Sequence, residues 1–368
     1  MTKLLLSIRS LDIGGAERQF IELVKRIDKS KFDVTVCTMY GGVQEDIVKN
    51  IDDIKYYNLQ KTGRYDFYKF YKNYSMLLQK INPDVIYSFL GEMNLFSHWC
   101  KQKHTKIIWG FRASNMDLSQ YGKVAQIIFW LQKKLSSRVD KIIANSNASI
   151  DFHKQNGFDM GSSVVIPNGV DTDRFQRDET KREEFRKKYN LKQSDIAVGI
   201  VARIDYMKGY LVFSQTAKKL IERYDNLYFF SVGGGDEKIK KECELVLGNT
   251  NRFIWLGNQK NVENFYSGFD ISSSSSSFGE GFSNSIAEAM SCECACVVTD
   301  VGDSAMIVGE FGGVVEANSV DSLYLELEKM VQSDYKEFGK RSRQRIIDNF
   351  SIEKMVKNTE KEIVKCVE

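Results

Sequence analysis

Two glutamates, Glu280 and Glu288, lie eight positions apart, and glycines bracket the first of them in the segment FGEGFSNSIAEAM (278–290). The pattern predicts a loop that leads into a helix beginning at Ser283 or Asn284. The first turn of a helix has unpaired backbone N–H groups and the positive end of the dipole, so it suits a phosphate. Carboxylates would repel a phosphate, but they can accept hydrogen bonds from hydroxyls on either side of a diphosphate. The residues therefore predict a site for a nucleotide sugar.

Two cations stand in a second predicted strand-to-helix turn, VARIDYMKGY (201–210). Arg203 is predicted to end a strand, and Lys208 to open the helical region that follows it. Cations at this spacing can converge on one anion, such as a departing diphosphate. Together with the backbone N–H groups of residues 281–284, they would stabilise the leaving group without a metal ion.

The string from 278 to 303 resembles the donor-site signature of the family-4 retaining glycosyltransferases. That family has the α/β GT-B fold, in which two Rossmann-like domains with parallel sheets face each other across a cleft. The resemblance implies a UDP- or GDP-linked sugar as donor, no cofactor, and transfer with retention of anomeric configuration. It implies catalytic roles for Arg203, Lys208 and Glu280. It also implies donor-binding roles for Gly14, Gly15, Gly281, Phe282, Ser283, Asn284 and Glu288.

Three segments depart from, or only partly match, known patterns. Gly14-Gly15 in GGAER resembles the family's glycine-rich loop, and it lacks the Gly-x-Gly-x-x-Gly spacing of a nicotinamide site. In IIWGFRASNMDL (107–118), Arg112 stands where the family often has a histidine, with Ser114 and Asn115 beyond it. An arginine cannot act as a base near neutral pH, so these three residues are predicted to contact the acceptor or the sugar. Glu293 and Ala295 replace the family's usual Gly and Pro and are expected to alter only a turn.

Strand and helix patterns alternate along both halves, which is typical of parallel sheets covered on both faces. The predicted strands are 3–9, 33–39, 84–88, 106–111, 141–144, 164–166, 196–203, 227–233, 252–256, 269–274, 295–300 and 312–316. The predicted helices are 16–27, 66–81, 93–101, 117–138, 146–156, 208–224, 236–247, 261–267, 284–291, 319–332, 335–349 and 352–367. The six serines 272–277 are predicted to be a strand end that lines the site rather than a flexible linker.

The turn at Pro167-Asn168-Gly169 and the charged run 177–195 mark the predicted connection between two domains. Residues 1–170, joined by the last helix 352–368, would form the acceptor-binding domain. Residues 171–351 would form the donor-binding domain. A chain of 368 residues is long enough for two such cores.

The seven cysteines form no paired framework and are predicted to be free, as in a reducing compartment. Cys292, Cys294 and Cys296 alternate as a strand would and have no nearby histidine, so no metal site is predicted. No apolar run is long enough for a signal peptide or a membrane span. These features predict a cytoplasmic protein.

The net charge of +3 divides into a basic first half and a mildly acidic second half. The segment 61–81 of the basic half interleaves cations with aromatic residues, which suits an anionic bilayer surface. The alternative is a helix that packs about half of these aromatics into the core. No RNA-binding aromatic motif is present, so no nucleic-acid partner is predicted. The expected attachment is peripheral, on the inner face of a bacterial-type membrane, with a saccharide or lipid-diphosphate-linked sugar as acceptor.

Two other functions remain open at this point. A sugar-nucleotide epimerase on the same architecture would convert the donor without an acceptor. A non-catalytic protein could bind a nucleotide or a membrane surface only.

Overall fold

The computed structural model of the chain describes residues 1–61, 63, 66–112, 114 and 122–368. It divides into two compact units. Unit 1 comprises Met1–Gly169 together with Ile352–Glu368, and unit 2 comprises Val170–Ser351. The last helix of the chain is therefore part of unit 1.

Unit 1 alternates strands and helices along the chain. Its strands are β1 (Thr2–Ile8), β2 (Phe32–Thr38), β3 (Ile54–Asn58), β4 (Val85–Phe89), β5 (Lys106–Phe111), β6 (Lys141–Ala144) and β7 (Ser163–Val165). Its first helices are α1 (Gly15–Arg26), α2 (Glu45–Lys49), α3 (Phe67–Ile81), α4 (Gly91–Cys100), α5 (Lys123–Leu135) and α6 (Asn147–Gln155). The strands pair in parallel in the order β3-β2-β1-β4-β5-β6-β7.

Unit 2 has the same kind of alternation. Its strands are β8 (Ile196–Val201), β9 (Leu227–Val232), β10 (Phe253–Gly257), β11 (Ile271–Ser274), β12 (Ala295–Thr299) and β13 (Gly312–Val315). Its helices are α7 (Glu179–Lys188), α8 (Tyr210–Arg223), α9 (Glu237–Leu247), α10 (Val262–Gly268), α11 (Asn284–Ser291), α12 (Ser304–Val308), α13 (Val320–Gln332) and α14 (Tyr335–Phe350). The parallel order is β10-β9-β8-β11-β12-β13, and α15 (Ile352–Val367) closes the chain.

Both faces of each sheet are buried, as the unbroken apolar runs predict for parallel strands. In β1, Leu4 and Leu6 pack into one core cluster while Leu5 packs into the cluster on the opposite face. In unit 2, Ala295 and Val297 of β12 lie on one face, and Cys296 lies on the other. The predicted two-domain α/β fold with parallel sheets is confirmed.

Four elements are missing from the sequence prediction: α2, β3, α7 and α12. Helix α7 lies within the charged run 177–195 that was interpreted as a connection. Its only buried residue is Phe185, so the sequence of this helix shows almost no apolar periodicity. Asp178 caps the helix by accepting a hydrogen bond from the Lys181 N–H at 3.1 Å. Strand β3 lies at the edge of its sheet and has no fully buried residue, so it lacks a strong apolar pattern. The predicted helix 117–138 is α5 followed by a 3-10 turn, and its part from 117 to 121 lies outside the described residues.

Helix α3 divides its aromatic residues between the core and the surface. Phe70 and Tyr74 are buried, whereas Phe67 and Tyr71 are exposed. The segment 61–81 is therefore half core and half surface. Lys61, predicted to be a surface cation, is only 7% exposed, because it lies over the rings of Tyr40 and Phe67. Arg64 and Tyr65 of that segment lie outside the described residues.

The cysteines are free, as predicted. Burial raises the pKa of Cys294 to about 12, and its Sγ donates to the carbonyl oxygen of Tyr266 at 3.2 Å, so this thiol is a packing residue. Within the described part of the chain, no helix combines the length and apolar character that a bilayer span requires.

Candidate functional site

The serine run forms the end of β11 and the loop after it. Ser272 to Ser276 are buried, which confirms a strand end rather than a flexible linker. The Thr299 hydroxyl at the end of β12 donates to the Ser276 carbonyl oxygen at 2.7 Å. The neighbouring strand therefore fixes the loop that carries Glu280.

Glu280 is buried, and one of its carboxylate oxygens accepts a hydrogen bond and also forms an ion pair. The Ser276 hydroxyl donates to Glu280 Oε1 at 2.7 Å, and Lys208 Nζ forms an ion pair with the same atom. Both partners of the pair are largely shielded from water, so each partly offsets the desolvation cost of the other. The structure thus joins two residues that the sequence had placed in separate turns.

Close backbone approach brings the Lys208 turn to the serine loop. Gly209 has φ +62°, and a Cβ there would lie 1.9 Å from the Ser275 carbonyl oxygen. The Ser275 hydroxyl donates to the Lys208 carbonyl oxygen at 2.9 Å, and the Ser277 N–H donates to the Met207 carbonyl oxygen at 2.7 Å. Only glycine fits at 209 without moving the two turns apart.

Arg203 adopts a different arrangement from Lys208. Its side chain is 72% exposed and pairs with Asp205 Oδ2, at 2.7 Å from both Nε and Nη2. The other Asp205 oxygen accepts from the Lys208 N–H at 3.2 Å and so caps the turn between them. Sequence reasoning missed Asp205, and the signal for it was a carboxylate two residues after the arginine.

The loop after β12 holds the backbone of Glu280 and Gly281. Gly302 has φ +63°, and a Cβ there would lie 2.4 Å from the Glu280 carbonyl oxygen. The Asp303 N–H donates to the Gly281 carbonyl oxygen at 3.0 Å. Two glycine-mediated contacts, at 209 and 302, therefore fix the Glu280 loop from two sides.

Helix α11 begins at Asn284, with Ser283 as the residue before its first turn. Its first backbone N–H groups follow directly on Gly281 and Phe282, so they stand where the sequence predicted a phosphate site. The Phe282 ring packs against Phe350, with ring centroids 5.5 Å apart. Any contact of Phe282 with a donor would therefore be through its backbone.

Glu288 lies on the buried part of the same helix and is 4% exposed. Its neighbours Ala287 and Ala289 are fully buried. A carboxylate is costly at such a depth unless polar groups satisfy it, so packing alone does not favour glutamate here.

The turn after α11 contains Glu293, which was predicted to alter that turn. Glu293 has φ +62°, in the left-handed region that favours glycine. A glycine would adopt this conformation without the strain that a glutamate has there.

The remaining predicted residues lie in unit 1, after the carboxyl ends of its strands. Gly14 precedes α1 and Gly15 begins it, next to Glu17, whose pKa is raised mainly by burial. Arg112 follows β5 directly. Ser114 is buried, and Asn115 lies outside the described residues.

Arg112 is held by residues of its own unit. Its Nη2 donates to the Tyr87 hydroxyl at 2.7 Å, and its Nη1 donates to Asn168 Oδ1 at 3.3 Å. Its guanidinium also lies 4.5 Å from the centre of the Phe89 ring. These contacts give Arg112 a fixed position at the carboxyl edge of the sheet.

Two family models match the chain. Residues 13–174 match Glycosyltransferase Family 4, and residues 181–349 match Glycosyl transferases group 1. The two matches together span most of the chain, and each lies almost entirely within one unit.

Two characterised relatives are similar in sequence. An Escherichia coli protein, UDP-Gal:alpha-D-GlcNAc-diphosphoundecaprenol alpha-1,3-galactosyltransferase, is 28% identical over 52% of this chain and 51% of its own length. The chain thus matches about half the length of that relative. A Campylobacter jejuni protein, N-acetylgalactosamine-N,N'-diacetylbacillosaminyl-diphospho-undecaprenol 4-alpha-N-acetylgalactosaminyltransferase, is 24% identical over 91% of each chain.

A solved structure shares the fold. HepE from Anabaena, crystallised with UDP, superposes with a TM-score of 0.83 at 17% identity, over 99% of this chain and 100% of that one. With both family models matched and this fold shared, the chain belongs to the family-4 glycosyltransferases of GT-B fold.

Proposed function

We propose that this protein is a retaining glycosyltransferase that moves a sugar from a UDP- or GDP-linked donor to a lipid-diphosphate-linked saccharide. It would act in the assembly of a bacterial-type surface polysaccharide or glycoconjugate. The observation that carries the proposal is the Lys208–Glu280 pair, held by two glycine contacts beside the start of α11. This arrangement places a cation, a carboxylate and the N-terminal turn of a helix in one unit.

The proposed reaction breaks the bond between the anomeric carbon and the β-phosphate oxygen. A bond forms between that carbon and an acceptor hydroxyl oxygen, and the hydroxyl proton passes to the departing diphosphate. Negative charge grows on the diphosphate, where Arg203, Lys208 and the first N–H groups of α11 would stabilise it. Glu280 would orient the sugar, and Glu288 would accept hydrogen bonds from the ribose hydroxyls.

The acceptor class rests on the two sequence relatives. Both are named for a sugar acceptor on diphosphoundecaprenol. The exposed side chains Tyr68, Lys69, Tyr71 and Lys72 of α3 are of the kind that suits the surface of an anionic membrane. Transfer to such a lipid requires the protein to work at a membrane surface, so we place it on the inner face of the plasma membrane.

The test is incubation with a panel of radiolabelled nucleotide sugars, with and without lipid-diphosphate-linked acceptors. We expect label to pass to lipid with one UDP- or GDP-sugar and the anomeric configuration to be retained in the product. Conversion of the donor without an acceptor would instead identify an epimerase, and nucleotide binding without turnover would identify a non-catalytic protein.

Removal of divalent metal is expected to change the transfer rate by no more than about twofold. Two cationic side chains and helix N–H groups would supply the charge that a metal ion would otherwise supply. The measurement is initial rate in excess EDTA against the rate with added Mn²⁺. Complete loss of activity in EDTA with recovery in Mn²⁺ would show that the leaving group needs a metal.

Binding to anionic vesicles is expected to be salt-sensitive and to depend on Lys69 and Lys72, two exposed residues of α3. Each cation near an anionic surface contributes about 1 kcal/mol, so Lys69→Glu/Lys72→Glu should lower vesicle affinity at least tenfold at low salt. The matched control is Lys238→Glu/Lys241→Glu, a pair of the same spacing exposed on α9 of unit 2. If both variants co-sedimented with the vesicles as fully as the wild type does, the membrane claim would be wrong and the transferase assignment would stand.

A further inference from the structure

A groove of about 470 Å³ lies between three helices of unit 1. It lies within the range of small-molecule sites, about 300–1,000 Å³. All of its lining residues except one glutamate are apolar or aromatic: Phe67, Tyr68 and Tyr71 of α3, Glu92, Leu95, Phe96 and Trp99 of α4, and Val124, Ile127, Ile128 and Leu131 of α5.

The rim of this groove is exposed to an unusual degree for side chains of this kind. Tyr68 of α3 is 82% exposed and Ile127 of α5 is 56% exposed, and Trp99 of α4 is also exposed. Apolar side chains gathered around one concavity indicate a binding surface, whereas scattered exposed ones need no explanation. A concave shape suits a chain-like hydrocarbon that enters it.

Two cations contact the lining, and each lies 5.5 Å from the centre of the Tyr40 ring, so both are at the same end of the groove. Arg9 Nε lies 2.7 Å from Glu92 Oε2, and Lys61 Nζ lies 4.8 Å from the centre of the Phe67 ring. Arg9 directly follows β1, and Glu92 is in the first turn of the helix after β4. This end therefore lies at the carboxyl edge of the sheet, where ligands of parallel α/β folds bind.

We propose that the groove holds the isoprenoid chain of the polyprenyl-diphosphate-linked acceptor, with the half-exposed Arg9 at its diphosphate end. The inference rests on the proposed acceptor class and assigns a place to the lipid part of that acceptor. A site with cations at one end and hydrocarbon-lined walls matches a molecule that is a diphosphate at one end and an isoprenoid along its length. The acyl chains of a bilayer would instead cover the whole exposed apolar face of α5, including residues outside the groove.

Helix α5 offers a matched pair of substitutions that separates these two occupants. Ile127 lines the groove, and Trp130, three residues later and 54% exposed, does not. Because both side chains are largely in water, Ile127→Asn and Trp130→Asn should fold, which the melting temperature would verify.

The first measurement compares KM in detergent micelles for a polyprenyl-diphosphate acceptor and for the same glycan diphosphate on a short alkyl chain. The wild type should have a KM about tenfold lower for the isoprenoid acceptor, and Ile127→Asn should remove most of that advantage. Trp130→Asn should retain it. Absence of any chain-length preference in an active wild-type enzyme would overturn the groove assignment but leave the proposed function intact.

The second measurement needs no donor and no turnover. A farnesyl diphosphate analogue carrying a benzophenone is photolysed with the full chain, and labelled peptides are mapped by mass spectrometry. We expect labels on α3, α4 and α5, reduced in Ile127→Asn and in Arg9→Ala and unchanged in Trp130→Asn. Labelling outside these helices would overturn the proposal. Equal loss of labelling in Ile127→Asn and Trp130→Asn would also overturn it, and would indicate instead that a bilayer covers this face of α5.

Discussion

Lys208→Ala and Arg203→Ala are each expected to lower kcat by about 10²–10³-fold at saturating donor. Loss of one preorganised charge at a developing anion typically has that effect. The two changes differ in their structural cost. Arg203 is exposed, so its removal leaves the core intact, whereas removal of Lys208 leaves Glu280 beside Ser276 without its cation.

The control for Arg203 is Arg223→Ala, since Arg223 is also an exposed arginine of unit 2 paired with a carboxylate, that of Glu328. The free energy of unfolding should be measured for every variant, so that a folding defect in Lys208→Ala is not taken for a catalytic one. For this variant, adding Glu280→Gln should recover stability without recovering kcat. If Arg203→Ala turned over as fast as Arg223→Ala, Arg203 would have no part in the chemistry.

Glu288→Ala is expected to weaken binding of the donor nucleotide about 5- to 150-fold, since a hydroxyl left without its acceptor in a buried site costs about 1–3 kcal/mol. Glu280→Ala should instead lower kcat while nucleotide affinity changes little, because its predicted partner is the sugar. Calorimetric titration with UDP and GDP and steady-state kinetics separate the two effects.

The matched control for these carboxylates is Glu362→Ala on α15. Glu362 is similarly buried, but it lies in unit 1 and pairs with Lys141 and Lys365. Its loss should alter stability and leave nucleotide affinity unchanged. If Glu288→Ala bound nucleotide as tightly as Glu362→Ala, the ribose role of Glu288 would be wrong.

The sequence could predict which residues gather at the site, because the carboxyl ends of parallel strands meet at one edge of a sheet. Arg203 and Lys208 follow β8, and Glu280 follows β11, its neighbour in the sheet. Their pairing was not predictable, since it depends on the approach of Gly209 to Ser275, a contact between segments far apart in sequence. Lys208 and Glu280 were consequently assigned to different parts of the substrate with no link between them.

Helix α3 shows a second limit of sequence reasoning. Its periodicity indicated correctly that part of the aromatic set would be buried, since Phe70 and Tyr74 face the core. The groove could not be predicted, because it needs Leu95 and Trp99 of α4 and Ile127 of α5 beside α3. Side chains that seem merely exposed along one helix form a concave surface only after three helices pack together.

The missing helix α7 has a similar cause. A helix that buries a single side chain, Phe185, carries almost no apolar periodicity, and its charges resemble those of a linker. Its cap residue Asp178 was a usable signal, since a capping side chain marks a helix start without reference to burial.

The most direct test of the donor site is hydrogen–deuterium exchange of the full chain with and without the donor's nucleoside diphosphate, in EDTA. The nucleoside diphosphate contains the ribose and the diphosphate but not the sugar that is transferred, so it should engage Glu288, Lys208 and the start of α11. We predict slower exchange in peptides covering 203–210 and 281–288, and little change on α13 and α14. Binding of the nucleotide with protection elsewhere and none in these two segments would contradict the account.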